Sequence, residues 1–451
     1  MKHGQALTVI CAGIMAVSLS GCAAYHSAPL NLYSPLKTSL SRLNRGPVGG
    51  KFIPVTGRLS APDLAALAVL NDPDLVAARA QHGVAKAELL SAGLLPDPTL
   101  TGGFAALLSG PGSAPAISGS LTEDVAALIT YSVNKSAAQA GLAQVDASIL
   151  WQEWQVASQA EQLVVSLAAD RRIVSTLEQD RAALAAVNAE TSHLVTSGNL
   201  TIAASSASLA ALAGTDTALN SAIQTQQRDA NQLDALLGLQ PGVAVSVILP
   251  EIPPIGQAEA DQALATLAMR RPDLIALRYG YRQADARLRA AILTQFLPVS
   301  LGVAGGSDTS KVVSVGPQVT LNLPIFNRNR GVIATAQATR AVLKAQFSAS
   351  LAAASGGAQS LLATIALLQS QSKAADRAAA QATGIAAQAQ TAFAEGTLDA
   401  LSAVNLQTAA ADRTREAITL RAELLNARLS LATLLAIGLP PVAASDLKAS
   451  S

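Results

Sequence analysis

The sequence predicts a mainly α-helical fold of two similar halves, each with very long helices and one short β-hairpin. Three observations predict it. The chain repeats itself about two hundred residues on, its helix-forming runs exceed those of globular cores, and strict two-residue alternation occurs at matching places in both halves. Pro73-Asp74-Leu75-Val76-Ala77-Ala78-Arg79 returns as Pro272-Asp273-Leu274-Ile275-Ala276-Leu277-Arg278, and Leu94-Leu95-Pro96 returns as Phe296-Leu297-Pro298. A Gly among small polar neighbours interrupts the helices at Ser197-Gly198-Asn199-Leu200 and Glu395-Gly396-Thr397-Leu398. The halves close on Leu236-Leu237-Gly238-Leu239 and Ala436-Ile437-Gly438-Leu439.

At the N-terminus, Lys2 and His3 precede an apolar run from Ala6 to Val17. That run is too short for a spanning helix and suits a secretory signal over residues 1–21. Leu19-Ser20-Gly21-Cys22 resembles the lipobox of bacterial lipoproteins, which implies cleavage before Cys22 and acylation of that cysteine. Stable anchoring takes more than one acyl chain. Ala23 after the cysteine implies sorting to the outer membrane. An ordinary signal peptide ending in Cys is the alternative. Cys11 leaves with the signal and Cys22 is used on lipid, so the two cysteines leave the mature chain no disulfide.

Composition narrows the function classes. Half the residues are hydrophobic, yet only 14% are charged, against about 25% in ordinary domains. The excess is Ala, the best helix former, whose small side chain lets helices pack closely. A net charge of +1 offers nucleic acid no basic face. No apolar run of 18 or more follows the signal, so a membrane crossing is expected only through strands.

The elements follow in order. Pro29, Pro35, Pro47 and Pro54 make residues 22–58 an extended tether. The first repeat spans 59–239. Ser60 caps a short helix ending near Leu70, and Asp72 before Pro73 starts a helix running to about Gly93. After a hairpin at about 98–124, a Pro-free run from about Ser136 to Leu194 predicts one helix roughly 90 Å long. Beyond Ser197-Gly198-Asn199 helix resumes to about Leu237. Pro241, Pro250, Pro253 and Pro254 mark a linker over 240–257. The second repeat, 258–439, has its hairpin at about 298–323, a long helix from Gly331 to Ala394 and a return helix from Leu398 to Ile437; a tail covers 440–451.

The hairpins carry the functional content. Val299, Leu301 and Val303 alternate with Ser300, Gly302 and Ala304. A turn is expected at Gly305-Gly306-Ser307-Asp308. Then Val313, Val315, Val319, Leu321 and Leu323 alternate with Ser314, Gly316, Gln318, Thr320 and Asn322. In the first half Leu100, Gly102 and Phe104, and then Ile117, Gly119 and Leu121, form the matching apolar set around a turn at Ser109–Pro115. Pro317 removes one ladder donor and argues for an edge or a bend. Ribbons with one apolar and one small polar face suit a membrane barrel, with Ser300, Gln318, Thr320 and Asn322 toward its lumen. An ordinary sheet packed on a helix shows the same alternation. Four strands cannot close a barrel, and lipid tolerates no open edge, so the membrane case requires several chains.

The junction Leu323-Pro324-Ile325-Phe326-Asn327-Arg328-Asn329-Arg330-Gly331, the Pro-Asp-Leu helix starts, the Leu-Pro junctions and the tip glycines together resemble the TolC-like outer-membrane efflux factors, whose lipoprotein branch carries a lipobox. The resemblance covers nearly all of the chain after residue 58. It implies a homotrimer in outer-membrane lipid, three chains of four strands closing one barrel that continues as a coiled-coil α-barrel across the periplasm. It also implies docking to a periplasmic adaptor and an inner-membrane efflux pump, with no enzymatic step. The outer component of type I protein secretion is one alternative, and a non-conducting coiled-coil envelope lipoprotein is another.

Relatives narrow at the periplasmic helical tips, often with an Asp; the matching position here is Asn405. Glu395 and Asp399 remain as tip acids able to attract cations, or, for Asp399, as a first-turn charge favoured by the helix dipole. No cofactor or metal site is expected: His3, His26, His82 and His193 form no i, i+4 pair. Trp151 and Trp154 read as a membrane-interface belt or as packing within the helical layer.

Overall fold

The computed structural model describes residues 25–47, 52–55, 58–248, 251–295, 299–321 and 325–439. The expected signal peptide, Cys22, Phe296-Leu297-Pro298, Asn322, Leu323-Pro324 and the tail after residue 439 lie outside them. Residues 25–36 form a separate extended unit with Tyr25, Leu30, Leu32 and Tyr33 exposed.

From Lys37 on, the first half contains α1 (Ala61–Asn71), α2 (Pro73–Ala92), β1 (Thr99–Ala105), β2 (Ala116–Asp124), α3 (Val125–Thr196) and α4 (Ile202–Leu236). The second contains α5 (Gln257–Ala265), α6 (Leu267–Arg270), α7 (Pro272–Leu293), β3 (Val299–Ser307), β4 (Val313–Leu321), α8 (Arg330–Ala394) and α9 (Ala400–Leu434). The duplication is therefore structural, with a hairpin between a medium helix and a very long one each time.

Local chemistry explains the boundaries. Ser60 and Asp63 form a capping box at α1, and Leu75 N–H donates to Asp72 Oδ1 at 2.8 Å to start α2. The long helix α3 begins at Val125, well before the expected Ser136. The cause is Asp124, whose Oδ1 accepts from Ala126 N–H at 2.9 Å and Ala127 N–H at 3.2 Å, so the helix starts where the strand ends. Its 72 residues reach about 108 Å at the α-helical rise. The long helices end at glycines in the left-handed region, Gly198 at φ +78° and Gly396 at φ +72°.

Each half has its own core where the short helices cross the long ones. Leu64 and Leu67 of α1 meet Leu163, Val164 and Leu167 of α3 and Leu233 and Leu237 at the end of α4. In the second half Ala260, Ala263, Leu267 and Leu274 meet Ala354 and Ala358 of α8 and Leu431 and Leu435 at the end of α9. Each fully buried Leu contributes about 1.5–3 kcal/mol. The halves are joined across α3 and α9, where Trp154 Nε1 donates to Thr433 O at 3.1 Å and Thr433 Oγ1 donates to Ser158 Oγ at 2.6 Å. Arg271 stacks 4.6 Å over the Trp151 ring, so both tryptophans pack within the helical layer.

Two segments differ from expectation. Part of the tether is core: Lys37 N–H donates to Gly238 O, and Leu43 and Ile53 are buried beside Leu59. Leu59 also pairs with Val247 of the expected linker, and both are buried. Pro and Gly keep regular structure there short, a single 3-10 turn at Leu40–Arg42, but they do not rule out packing. In addition, α8 contains an 18-residue window of mean hydropathy 1.5, apolar enough to cross a membrane by length and composition, where sequence reading found none. Alanine supplies much of that apolarity, and α8 packs along α9 through Ala375, Ala379 and Ala417.

Candidate functional site

The four strands form one antiparallel sheet in the order β1-β2-β3-β4. The two hairpins thus join through β2 and β3, and β1 and β4 are left as edges with no further strand among the described residues. The register sorts every side chain to one of two faces. Leu100 lies opposite Leu121, Phe104 opposite Ile117, Leu121 opposite Val303, Leu301 opposite Val319 and Val299 opposite Leu321. These apolar positions share a face, and it is open: Leu100 and Val315 are each 78% exposed. Glu123, opposite Leu301 at the strand end, is the charge on that side.

The other face is small and polar. Thr101 and Ser120 share a 2.6 Å hydroxyl hydrogen bond, Ser300 lies opposite Thr320, and Gly302 lies opposite Gln318. Those three predicted residues, Ser300, Gln318 and Thr320, therefore share one face; Asn322 falls outside the described residues. Two glycines on this face have no room for a side chain. A Cβ at Gly302 would run into Leu121 O, and one at Gly306 into Ile117 O. A cavity of about 630 Å³ opens along the sheet, bordered by Thr101, Ser118, Ser120, Ser314 and Gln318 of the polar face.

Pro317 sits on edge strand β4, opposite Val303, where a missing donor costs least. The expected turn at Gly305–Asp308 is displaced: β3 continues to Ser307, and Asp308 Oδ1 accepts from Ser310 N–H at 2.8 Å and Val312 N–H at 2.9 Å. That Asx-type turn needs Asp at its first position, which frees the preceding glycines to stay in the strand. Ser113 and Ala114 N–H groups both donate to Thr309 O, so the two hairpin turns are tied together. At the other end Asn329, at φ +55°, donates from Nδ2 to Ala291 O at 2.7 Å and Thr294 Oγ1 at 2.8 Å, fixing the start of α8 against α7.

The helical tips place the other predicted residues. Asp399 is the N-cap of α9: its Oδ1 accepts from Ser402 N–H and its Oδ2 from Ser402 Oγ, and these hydrogen bonds hold its carboxyl below the usual range. Glu395 is the exposed C-cap of α8. Asn405 is exposed on α9, beyond the tip turn.

Sequence reasoning missed two acids further along the helices, one buried and one half-buried. Asp180, 3% exposed, accepts from Thr215 Oγ1 at 3.0 Å and Gln407 Nε2 at 3.2 Å, linking α3 to α4 and α9; burial pushes its carboxyl up. The signal was present, since Leu177, Asp180, Leu184 and Val187 fall on one helical stripe. Asp170 is pushed up to about 6, by burial first and then by the neighbouring Asp229 carboxylate. It borders a cavity of about 490 Å³ with Asp412, Arg415 and Glu416. Among the described residues no group of three or more His, Cys, Asp or Glu side chains could hold a metal ion.

No family model and no curated protein matches the chain. Solved structures do. The chain is similar to the transmembrane-channel protein CusC at a TM-score of 0.71 and 16% identity, over 92% of this chain and 99% of that one. It is similar to the outer membrane protein VceC of Vibrio cholerae at a TM-score of 0.70 and 18% identity, over 83% and 96%. It is also similar to the CmeC outer membrane channel of Campylobacter jejuni at 0.72 and 15%, over 86% and 89%. The chain has the fold of the TolC-like outer-membrane channels. That fold is the duplicated one above, mainly helical with two hairpins in one four-stranded sheet.

Proposed function

We propose that the chain is the outer-membrane channel of a tripartite export system, a passive duct that conducts what an inner-membrane pump and a periplasmic adaptor deliver. One observation carries this reading: a four-stranded sheet with an exposed apolar face, a small polar face and two edges unpaired among the described residues. In water such a sheet would aggregate along its edges; in lipid it is unstable until neighbours complete its pairing. A homotrimer does so with twelve strands, and Ser300, Gln318, Thr320 and Asn322 then face the lumen. The duct performs no chemistry. Its energy comes from the pump, and its own work is to exclude lipid and stay continuous across the envelope.

Cys22 carries the acyl chains in this reading, and the tether leads from them to Lys37. A Cys22→Ser chain is expected to lose lipid and keep its oligomer, because strand pairing holds the subunits together; mass spectrometry and unheated SDS gels read both. Glu395 and Asp399 supply negative potential at the tip, with Asn405 uncharged at the level where relatives narrow.

The test is isolation from outer membranes as a heat-modifiable, SDS-resistant oligomer that conducts in planar bilayers, with drug, dye and metal sensitivity in a deletion strain. A monomer that inserts nothing refutes the channel and leaves an envelope strut. Loss of a secreted protein, without any sensitivity, moves the duct to type I secretion.

A further inference from the structure

Resting on that channel reading, we infer that the turn Ile325–Arg330, between β4 and α8, binds an anionic phospholipid of the membrane's periplasmic leaflet. Arg328 and Arg330 take the headgroup phosphate, and Ile325 and Phe326 lie against the acyl chains. The level of the turn comes first. Strands β3 and β4 have nine residues each, the length a tilted strand needs to cross hydrocarbon. The turn follows the helical end of β4, and Asn329 pins it to the end of α7 at Ala291 O and Thr294 Oγ1. It therefore sits where the sheet leaves lipid and the helices begin, at the height of the headgroups.

Its composition suits that height. Phe326 is 97% exposed and Ile325 is exposed too, beyond the open apolar face that carries Val319 and Leu321. Arg328 and Arg330 are exposed, and neither side chain has an ion-pair or hydrogen-bond partner among the described residues. Further down the helices, by contrast, Arg289 and Arg340 share Asp285 at 3.0 and 2.7 Å. Arg328 at φ +45° and Asn329 at φ +55° turn the chain sharply, and Arg330 N–H donates to Asn327 O at 3.0 Å. Two guanidiniums thus stem from one pinned turn, and guanidinium is the group that grips phosphate through paired N–H donors. The first half has no equivalent, because β2 runs straight into α3 through Glu123 and Asp124. Acids at this end of the sheet do not neutralise the pair. Asp124 lies on the polar face and is engaged by the Ala126 and Ala127 N–H groups. Glu123 is two strands from β4, about 10 Å at ordinary spacing. Asp97 precedes β1 at the far edge, and in a closed barrel Asp97 of the partner subunit comes beside β4. One carboxylate against two guanidiniums leaves a positive surplus at each of three sites in a trimer.

The test uses the full chain in lipid vesicles, with Phe326→Trp as a fluorescent reporter. The native Trp151 and Trp154 are packed within the helical layer, away from the bilayer. Phosphatidylglycerol and phosphatidylcholine of matched chain length are mixed, one of them brominated at a time, and quenching gives their relative affinity for the site. Expected is a preference for phosphatidylglycerol of about fivefold per guanidinium. It should vanish when Arg328→Gln and Arg330→Gln are added together. It should vanish equally with both arginines present at about 1 M salt, where the Debye length is ~3 Å, so the test survives a double variant that fails to fold. Equal affinity for the two lipids at low salt overturns the inference, and so does a preference that outlives both arginines. A preference that emerges only with Asp97→Asn also overturns it, since the guanidiniums then serve the partner subunit. Quenching of a Leu301→Trp chain without quenching of Phe326→Trp removes this site alone. If neither reporter is quenched, the sheet is not in lipid and the channel reading fails with it.

Discussion

Replacing Asp170 by Asn should stabilise the helical body near neutral pH and leave it unchanged in acid. The carboxyl is pushed up from 3.8 to about 6, by burial and then by Asp229, with Arg228 opposing. Its Oδ2 has no hydrogen-bond partner among the described residues. A raised carboxyl means that the folded chain holds a proton the unfolded chain has released. Stability from this group is therefore complete below the unfolded value, near 4, and is lost as pH rises through about 6. Two units at full weight correspond to about 3 kcal/mol. The side chain keeps partial solvent access, so roughly 1–2 kcal/mol per chain is the expected penalty at neutral pH. Asp180, Asp234 and Glu161 are raised in the same direction, so the informative quantity is the difference between wild type and variant. Thermal unfolding followed by far-UV circular dichroism at about pH 7.5 and about pH 4 measures it. The Asp170→Asn chain should melt higher than wild type at the first pH and alike at the second. A variant that melts lower at neutral pH, or whose advantage persists in acid, refutes the assignment.

Other outcomes follow from single contacts. Gly396→Ala or Gly198→Ala forces a Cβ into the left-handed region at a helical tip and should cost about 1–2 kcal/mol in unfolding measurements, with Asn milder than Ala. Arg271 is 7% exposed, pairs with Asp273 at 2.6 Å, donates to Leu434 O and stacks on Trp151. Arg271→Lys loses the planar fork and should cost about 2–3 kcal/mol, with a changed Trp emission.

Much of this was legible because the local signals are chemical. Ser60, Asp72 and Pro73 announce helix starts whatever surrounds them, and the strand parity from Val299 to Leu321 fixed both faces before any register was known. Three things were not legible. Asp124 looked like the end of a strand, and only its cap geometry makes it the start of α3. Leu43, Ile53 and Val247 sit among Pro and Gly, where packing leaves no periodic trace. Arg271 occupies the place of Asp72 in the repeat, so similarity of flanking residues concealed that one start is capped by a carboxylate and the other is held by a stacked guanidinium. Asp180 shows the converse case: its stripe was visible, but an acid beside Glu178 and Arg181 reads as solvent-facing.

The central claim is that β1 and β4 are completed only by neighbouring chains. Within one chain β2 and β3 separate them, which places the edges about 14 Å apart at ordinary strand spacing, whereas a disulfide needs Cα atoms about 4.4–6.8 Å apart. Thr101→Cys on β1, paired in turn with Ser314→Cys, Gly316→Cys, Gln318→Cys and Thr320→Cys on β4, keeps every thiol on the polar face. Oxidation in membranes should give, for at least one pair, a covalent ladder that stops at three chains. If every pair stays monomeric, or closes a bridge inside a single chain, the strands are not shared between subunits.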